Sequence, residues 1–213
     1  KMLFTVLKRG EKLELTKDAT TLDLCDMGLR FDLTLPLSRF YSNNQSMLES
    51  PFKAIQIGNV FRAERPQKGR FRSFKQCDID IIGDPSINAE IELMDTTAKA
   101  LIAMGFKGFT IKVNHRQLLS AVIKKAGFSA ESIGTVCISL DKLDKVGTDG
   151  VTQELLEKGF GQEQVQSLMS CVTSINLENL GQWVEDTESI EELTNVINSM
   201  KTLSKDHFEI VFD

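Results

Sequence analysis

Histidine, tryptophan and tyrosine are scarce, with two, one and one copies in the chain. The two histidines, His115 and His207, stand far from each other, and Cys25, Cys77, Cys137 and Cys171 form no C-x-x-C pair. That spacing argues against a zinc site, so no metal site is expected. Isolated thiols also argue against a disulfide framework and fit a reducing cytosol. No secretory leader pattern opens the chain. No apolar run is long enough to cross a bilayer, so no membrane partner is expected and the expected location is cytoplasmic. Positive charge is not in excess, since 25 Lys and Arg face 30 Asp and Glu for a net charge of −5. That balance excludes nucleic-acid binding by the whole surface but leaves room for a local basic groove. What remains is ordinary globular material: 213 residues, 41% hydrophobic and 26% charged, enough for one domain with a core or a domain with a subdomain.

Two textures divide the sequence. Up to about Asn114, strands and turns mix with one long helix. The stretch "LRFDLTL" alternates, with Leu29, Phe31 and Leu33 on one face and Arg30, Asp32 and Thr34 on the other, which predicts a strand. "KAIQIGNVFRAE" and "FRSFKQCDIDII" predict two further strands joined through the loop "RPQKGR" as an antiparallel hairpin. A helix with Ile91, Met94, Ala98 and Leu101 on one stripe ends at Gly105, and "FTIKVN" alternates again. From His115 to about Ser204 the pattern is helical: "HRQLLSAVIKKAG", "ESIGTVCISLDKLDKV", "TQELLEKG", "QVQSLMSCV" and "SIEELTNVINSMKTL" each present an apolar face. "HFEIVFD" returns to a strand pattern. The expected fold class is α+β, an antiparallel sheet core interrupted by an all-helical insertion. Its segments are 1–114, 115–205 and 206–213, the last a strand returning to the core.

Charge is distributed against the net sign in one place. Between Lys53 and Lys75 stand seven basic residues, Lys53, Arg62, Arg65, Lys68, Arg70, Arg72 and Lys75, against the single acid Glu64. Such a reversal suits an anion, and an arginine fork binds phosphate more firmly than lysine does. Just beyond, the period of two puts Phe74, Gln76, Asp78 and Asp80 on one strand face and Lys75, Cys77, Ile79 and Ile81 on the other. The second set is apolar enough to pack on a helix. The first would be either a solvated face or the floor of a concave site. In the second case its carboxylates need a cation or hydrogen-bond donors.

The string "FRAERPQKGRFRSFKQCDIDIIG" resembles motif 2 of the class II aminoacyl-tRNA synthetases, in the form used by the histidyl-tRNA synthetase family. "LRFDLT" resembles that family's histidine-binding strand, and "NHRQLL" and "LDKLDK" resemble segments opening its helical insertion. The resemblance implies ATP-dependent activation of histidine to histidyl-adenylate and transfer to tRNA(His). Arg62 would contact the α-phosphate of ATP as the histidine carboxylate attacks. Glu64 would lie near the adenine end, Arg70 would reach the outer phosphates and the histidine, and Phe74 would stack on adenine. Asp32 and Thr34 would hold the α-amino group, and Gln76 the substrate's backbone groups. Asp80 would accept from the imidazole. Many relatives carry Glu there, and the shared face permits Asp78 instead. The catalytic residues would be Arg62 and Arg70. Mg²⁺ would arrive with ATP, and no tightly bound cofactor is implied. The implied partners are histidine, ATP, tRNA(His) and, in the full-length protein, a second copy in a homodimer. The insertion would approach the tRNA acceptor arm, with Lys124, Lys125, Lys142 and Lys145 as candidates.

The same resemblance implies an incomplete catalytic region: "KMLFTV" begins after motif 1, and Asp213 precedes the second histidine segment and motif 3. These residues are therefore expected to be inactive alone. The alternative is a non-catalytic relative, a regulatory subunit or an uncharged-tRNA sensor. Such relatives can lose the arginine loop, which is intact here. A nucleic-acid-binding domain without ligand chemistry would explain the basic loop but not the Asp32, Thr34, Gln76 and Asp80 set.

Overall fold

The computed structural model describes residues 2–10 and 16–213. The chain forms two compact units, one running to Ala89 and the other from Glu90 to Asp213.

In the first unit, β1 (Thr5–Leu7) pairs antiparallel with β2 (Cys25–Gly28), and the one-turn helix α1 (Thr21–Leu24) precedes β2. The expected strand at "LRFDLTL" does not form. Regular structure ends at Gly28, residues 29–33 are irregular, and helix α2 (Thr34–Asn44) begins inside the alternating stretch. Helix-start chemistry overrides the alternation. The Asp32 carboxylate accepts from the Leu35 amide at 3.4 Å, and Pro36 sits in the first turn, where its missing N–H costs nothing. Of the supposed apolar face, Leu33 is buried, together with Leu37 one turn on, while Leu29 is exposed. Helix α2 also adds to the single long helix expected before Asn114. A 3₁₀ turn (Gln45–Met47) leads on towards the hairpin.

The predicted hairpin is present. β3 (Phe52–Phe61) and β4 (Ser73–Ile82) pair antiparallel without a register shift, from Phe52 opposite Ile82 to Phe61 opposite Ser73. Pairing runs on past the strands, since the Arg62 amide donates to the Arg72 carbonyl at 2.8 Å. Gln67 and Arg70 bridge at the tip.

The polar face of this hairpin is covered along its length, whereas the apolar side, expected to pack on a helix, is covered only in part: Ile79 and Ile81 are half-buried, but Lys75 and Cys77 are exposed. Val60 is buried, and Ala54, Gln56, Gly58, Phe74, Gln76, Asp78 and Asp80 are half-buried. On the opposite side Ile55 and Ile57 are 69% and 66% exposed, and Cys77 is exposed as well. The reason is the irregular segment. Its Arg30 and Leu33 come down on Gly58, and its Arg30 carbonyl accepts from the Phe61 amide at 2.9 Å.

Most of α3 (Ile87–Ala103) belongs to the second unit, where Ile91, Met94 and Ala98 join the core. β5 (Phe109–Val113) pairs in parallel with β6 (Phe208–Phe212), and the Phe109 and Phe208 rings stack at 5.3 Å. A parallel pair needs a long crossover, and the helical block supplies it. That block comprises α4 (Arg116–Lys125), a 3₁₀ turn (Ala130–Ser132), α5 (Ile133–Leu140), α6 (Leu143–Glu157), α7 (Gln162–Ser174), α8 (Leu180–Trp183) and α9 (Thr187–Ser204). Leu118, Val122 and Ile123 of α4 are buried as their spacing predicts. They share a core with Val136, Leu155, Leu168, Leu180, Ile197 and Met200. The stretch expected as one helix, "ESIGTVCISLDKLDKV", instead turns between α5 and α6 at Asp141–Lys142. α6 then runs on through "TQELLE", kinked at Gly147 where φ is 72°. Among the described residues no helix is long and apolar enough to cross a membrane.

Candidate functional site

Register builds the site. In β4, Phe74, Gln76, Asp78 and Asp80 face the same way, opposite Val60, Gly58, Gln56 and Ala54 of β3. Arg62 follows β3 directly. Its guanidinium lies 4.5 Å from the centre of the Phe31 ring and 5.1 Å from that of Phe74, and its Nε donates to the Phe31 carbonyl at 3.2 Å. The contact with Phe74 puts Arg62 on the Gln76–Asp80 side of the hairpin. Two aromatic faces and one hydrogen bond fix the guanidinium plane. Among the described residues its Nη groups donate to no protein acceptor, which leaves a fork suited to an anion.

The hairpin tip carries the rest of the basic cluster. Arg70 Nη1 lies 3.3 Å from Glu64 Oε2, with the Arg70 side chain 59% and the Glu64 side chain 21% exposed. Arg72 Nε donates to the Glu64 carbonyl at 3.0 Å. Among the described residues the Arg70 side chain forms an ion pair with Glu64 and none with Asp80. Asp80 stands six positions beyond Phe74 in β4, roughly 20 Å of extended chain, so one hairpin face has a cationic end and an acidic end.

At the acidic end two carboxamides hold two carboxylates. Gln76 Nε2 donates to Asp78 Oδ2 at 2.9 Å, and Gln56 Nε2 donates to Asp80 Oδ2 at 3.3 Å. Among the described residues neither aspartate has an ion-pair partner. The Gln76 Oε1 atom is buried with no hydrogen-bond partner among the described residues. A buried acceptor without a donor carries a desolvation penalty that a ligand N–H would relieve. Half-buried carboxylates held by neutral amides alone likewise suit a cationic or N–H-bearing ligand. Asp32 and Thr34 sit where the irregular segment enters α2. Asp32 is tied to the Leu35 amide, and Arg30, two residues earlier, donates from Nε to the Asn59 carbonyl at 2.6 Å.

Two residues here went unnoticed in sequence, Gln56 and Gly58, while Arg30 and Phe31 had been read only as positions on opposite faces of a strand. A Cβ on Gly58 would lie 2.9 Å from an Arg30 nitrogen and 3.4 Å from Leu33. Glycine within a strand is the usual mark of such an approach, so the signal was present. Phe31 had been read with Leu29 and Leu33 on one face of a strand, and the structure sets its ring 4.5 Å from the Arg62 guanidinium. Among the described residues no cluster of His, Cys, Asp and Glu is arranged to hold a metal ion. The second unit has a cavity of about 730 Å³ between α4 and α9, lined among others by His115, Arg116, Lys124 and Glu192.

The family model described as histidyl-tRNA synthetase matches residues 8–213. A histidine–tRNA ligase of Leifsonia xyli is 49% identical over 161 residues, covering 74% of this chain and 37% of that protein. One from Bacteroides fragilis is 34% identical over 221 residues, covering 95% of this chain and 48% of its own length. Among solved structures, histidyl-tRNA synthetase from Nostoc superposes with a TM-score of 0.73 at 27% identity, over 91% of this chain and 47% of that one. A protein from Bacillus halodurans described as an ATP phosphoribosyltransferase regulatory subunit/histidyl-tRNA synthetase superposes with a TM-score of 0.75, over 100% of this chain and 52% of its own. At 17% identity it shares the fold alone. The chain spans about half the length of these relatives, or less.

Proposed function

The chain belongs to the histidyl-tRNA synthetase family, and from that premise we propose that one face of the β3–β4 hairpin is the floor on which ATP and histidine meet. A histidine carboxylate oxygen attacks the α-phosphorus of ATP. The bond from that phosphorus to the bridging oxygen breaks, pyrophosphate leaves, and histidyl-adenylate forms for transfer to tRNA(His). Such a displacement needs alignment and charge neutralisation more than covalent help.

Arg62 is the central residue. Its fixed guanidinium offers two unspent Nη groups to the α-phosphate, where negative charge gathers in the transition state. Phe74 presents its ring beside Arg62 for adenine. Glu64 and Arg70 form the rim at the nucleotide end, with Arg70 leaving Glu64 for the outer phosphates. Asp32, Thr34 and the orphaned Gln76 oxygen receive the α-amino group, and Asp80 receives the imidazole. Mg²⁺ accompanies the phosphates. The nearby loop offers it Glu64 alone as a carboxylate, so phosphate and water oxygens would supply most of its ligands.

The observation that carries the reading is the placing of Arg62, Gln76 and Asp80 on one covered face, with an anion fork at one end and N–H acceptors at the other. A regulatory or tRNA-sensing role would not require Arg62, Glu64 and Arg70 to remain together with that floor. The helical block, residues 115–205, is proposed as an insertion facing the tRNA acceptor arm. Lys125 and Lys142 already serve structure there, bonded to the Gln182 carbonyl and to Glu154, so Lys124 and Lys145 are the stronger candidates for phosphate.

Histidine-dependent ATP–pyrophosphate exchange by the full-length protein tests the proposal. Arg62→Lys, which keeps the charge but loses the fork and the ring stacking, should lower kcat by about 100-fold or more. Asp80→Ala should raise the histidine KM while leaving the ATP KM in place. Wild-type exchange kinetics in both variants would refute it.

A further inference from the structure

We infer that Gln56 is a positioning residue for histidine recognition, holding Asp80 so that one carboxylate oxygen is occupied and the other is presented to the substrate imidazole. The inference rests on the site proposed above and adds a residue that lies outside the arginine motif, on the neighbouring strand.

Three features of the geometry carry it. The first is cross-strand reach. Gln56 stands opposite Asp78, yet its carboxamide passes over that neighbour to Asp80, the diagonal position. Diagonal partners are within range of a long side chain, and the residue opposite Asp80 is Ala54, which leaves the space open. The second is exclusivity. Asp78 takes its hydrogen bond from Gln76, so each carboxylate has its own amide donor and the two are not interchangeable. Asp80, held from across the sheet, is the one whose orientation depends on Gln56. The third is charge. The Gln56 amide donates a hydrogen bond without cancelling the carboxylate's charge, as Lys or Arg would, so Asp80 keeps its attraction for an N–H donor. The free rotamers of an exposed aspartate would otherwise have to be frozen when the substrate binds.

The arrangement also resolves the choice between the two aspartates in favour of Asp80. Asp78 and Gln76 form a closed pair along one strand that turns the Gln76 oxygen inward. Asp80 is the carboxylate set up from a second strand.

The test uses pyrophosphate exchange by the full-length protein, with histidine and ATP varied separately. Gln56→Leu, close in volume but unable to donate, should raise the histidine KM about 10- to 100-fold, the worth of one hydrogen bond to a charged group. The ATP KM and the melting temperature should stay near wild type. Gln56→Glu supplies a readout that a packing role would not move. The new carboxyl faces Asp80 and Asp78 across the strand pair and Arg30 along its own face. Like-charge proximity to the aspartates raises its pKa. Protonated, it donates to Asp80 as the amide did; ionised, it repels it. The histidine KM of this variant should therefore climb with pH more steeply than that of wild type, whose own profile records the titration of the substrate imidazole. An unchanged histidine KM in Gln56→Leu, equal rises in both KM values, or a pH profile of Gln56→Glu parallel to wild type would each overturn the inference. Asp80→Asn separates the two levels. If it leaves the histidine KM unaltered, the site assignment itself fails; if it raises it while Gln56→Leu does not, only the role of Gln56 fails.

Discussion

At the scale of single residues, close approach matters more than charge count. Gly58 is the clearest case. Its missing Cβ lets the Arg30 guanidinium lie against the sheet beside the strand position of Gln76. A strand glycine replaced by alanine ordinarily gains about 0.4–1 kcal/mol from a stiffer unfolded chain. Here the nearest obstacle is the far end of a flexible arginine, so the collision is relieved by moving that group. Gly58→Ala should thus change stability by less than about 1 kcal/mol in a denaturant titration. It should nonetheless raise the histidine KM, because the Arg30 bond to Asn59 that steadies the approach to Asp32 is disturbed. The arginine cluster and the Gln76–Asp80 face were legible as residue types and as a period. The contact of Arg62 with both the Phe31 and Phe74 rings was not, because alternation had assigned Phe31 to a strand.

Among elements, the ones read correctly had a single strong signal. The β3–β4 pair had two alternating runs around a Pro- and Gly-bearing loop, and α4 had an apolar stripe with Gly127 at its end. Residues 29–33 carried two signals in conflict, strand alternation and an Asp-x-Thr-x-Pro helix start. The helix won because Leu33 and Leu37 bury together only when the chain turns there. The α5–α6 boundary was missed for a related reason: the lysines near it belong to a tertiary network. Lys142 Nζ donates to both Glu154 oxygens at 2.8 Å, and Lys158 Nζ reaches Glu154 and the buried Ser139 hydroxyl at 2.7 Å each. The Lys142 bond foremost, then Lys158, lowers the Glu154 carboxyl from an ordinary 4.5 to about 2. A depressed folded-state value stabilises above the unfolded one, and that contribution is lost as pH falls towards the folded one. Wild type should therefore melt above Glu154→Gln at pH 6, and the gap should narrow between about pH 4.5 and pH 2. A gap independent of pH would show that the lysines contribute nothing through charge.

For the whole molecule, the unexpected result is which side of the hairpin is bare. Ile55, Ile57 and Cys77 form an exposed strip on the side where the sequence suggested a packed layer, and exposed strips of that kind favour association. Replacing Ile55 and Ile57 together by threonine, which keeps strand propensity, should reduce dye binding and light scattering by the 213-residue chain while leaving exchange kinetics of the full-length protein little changed. If scattering persists, the strip is not what drives association. The apolar period was read correctly; its cover could not be, because burial depends on which distant segment arrives, and here residues 29–33 occupy the other face.

The parallel pairing of β5 with β6 also governs how the second unit is assembled. About 90 residues separate the two strands, and closing a loop of that length by itself costs on the order of 4 kcal/mol of chain entropy. Five paired residues a side cannot meet that cost unaided, so the two strands find each other only after α4 to α9 have condensed and drawn the ends together. Their amides should be among the last in the unit to gain protection as the chain folds, which makes the two strands a marker of when the helical block is complete.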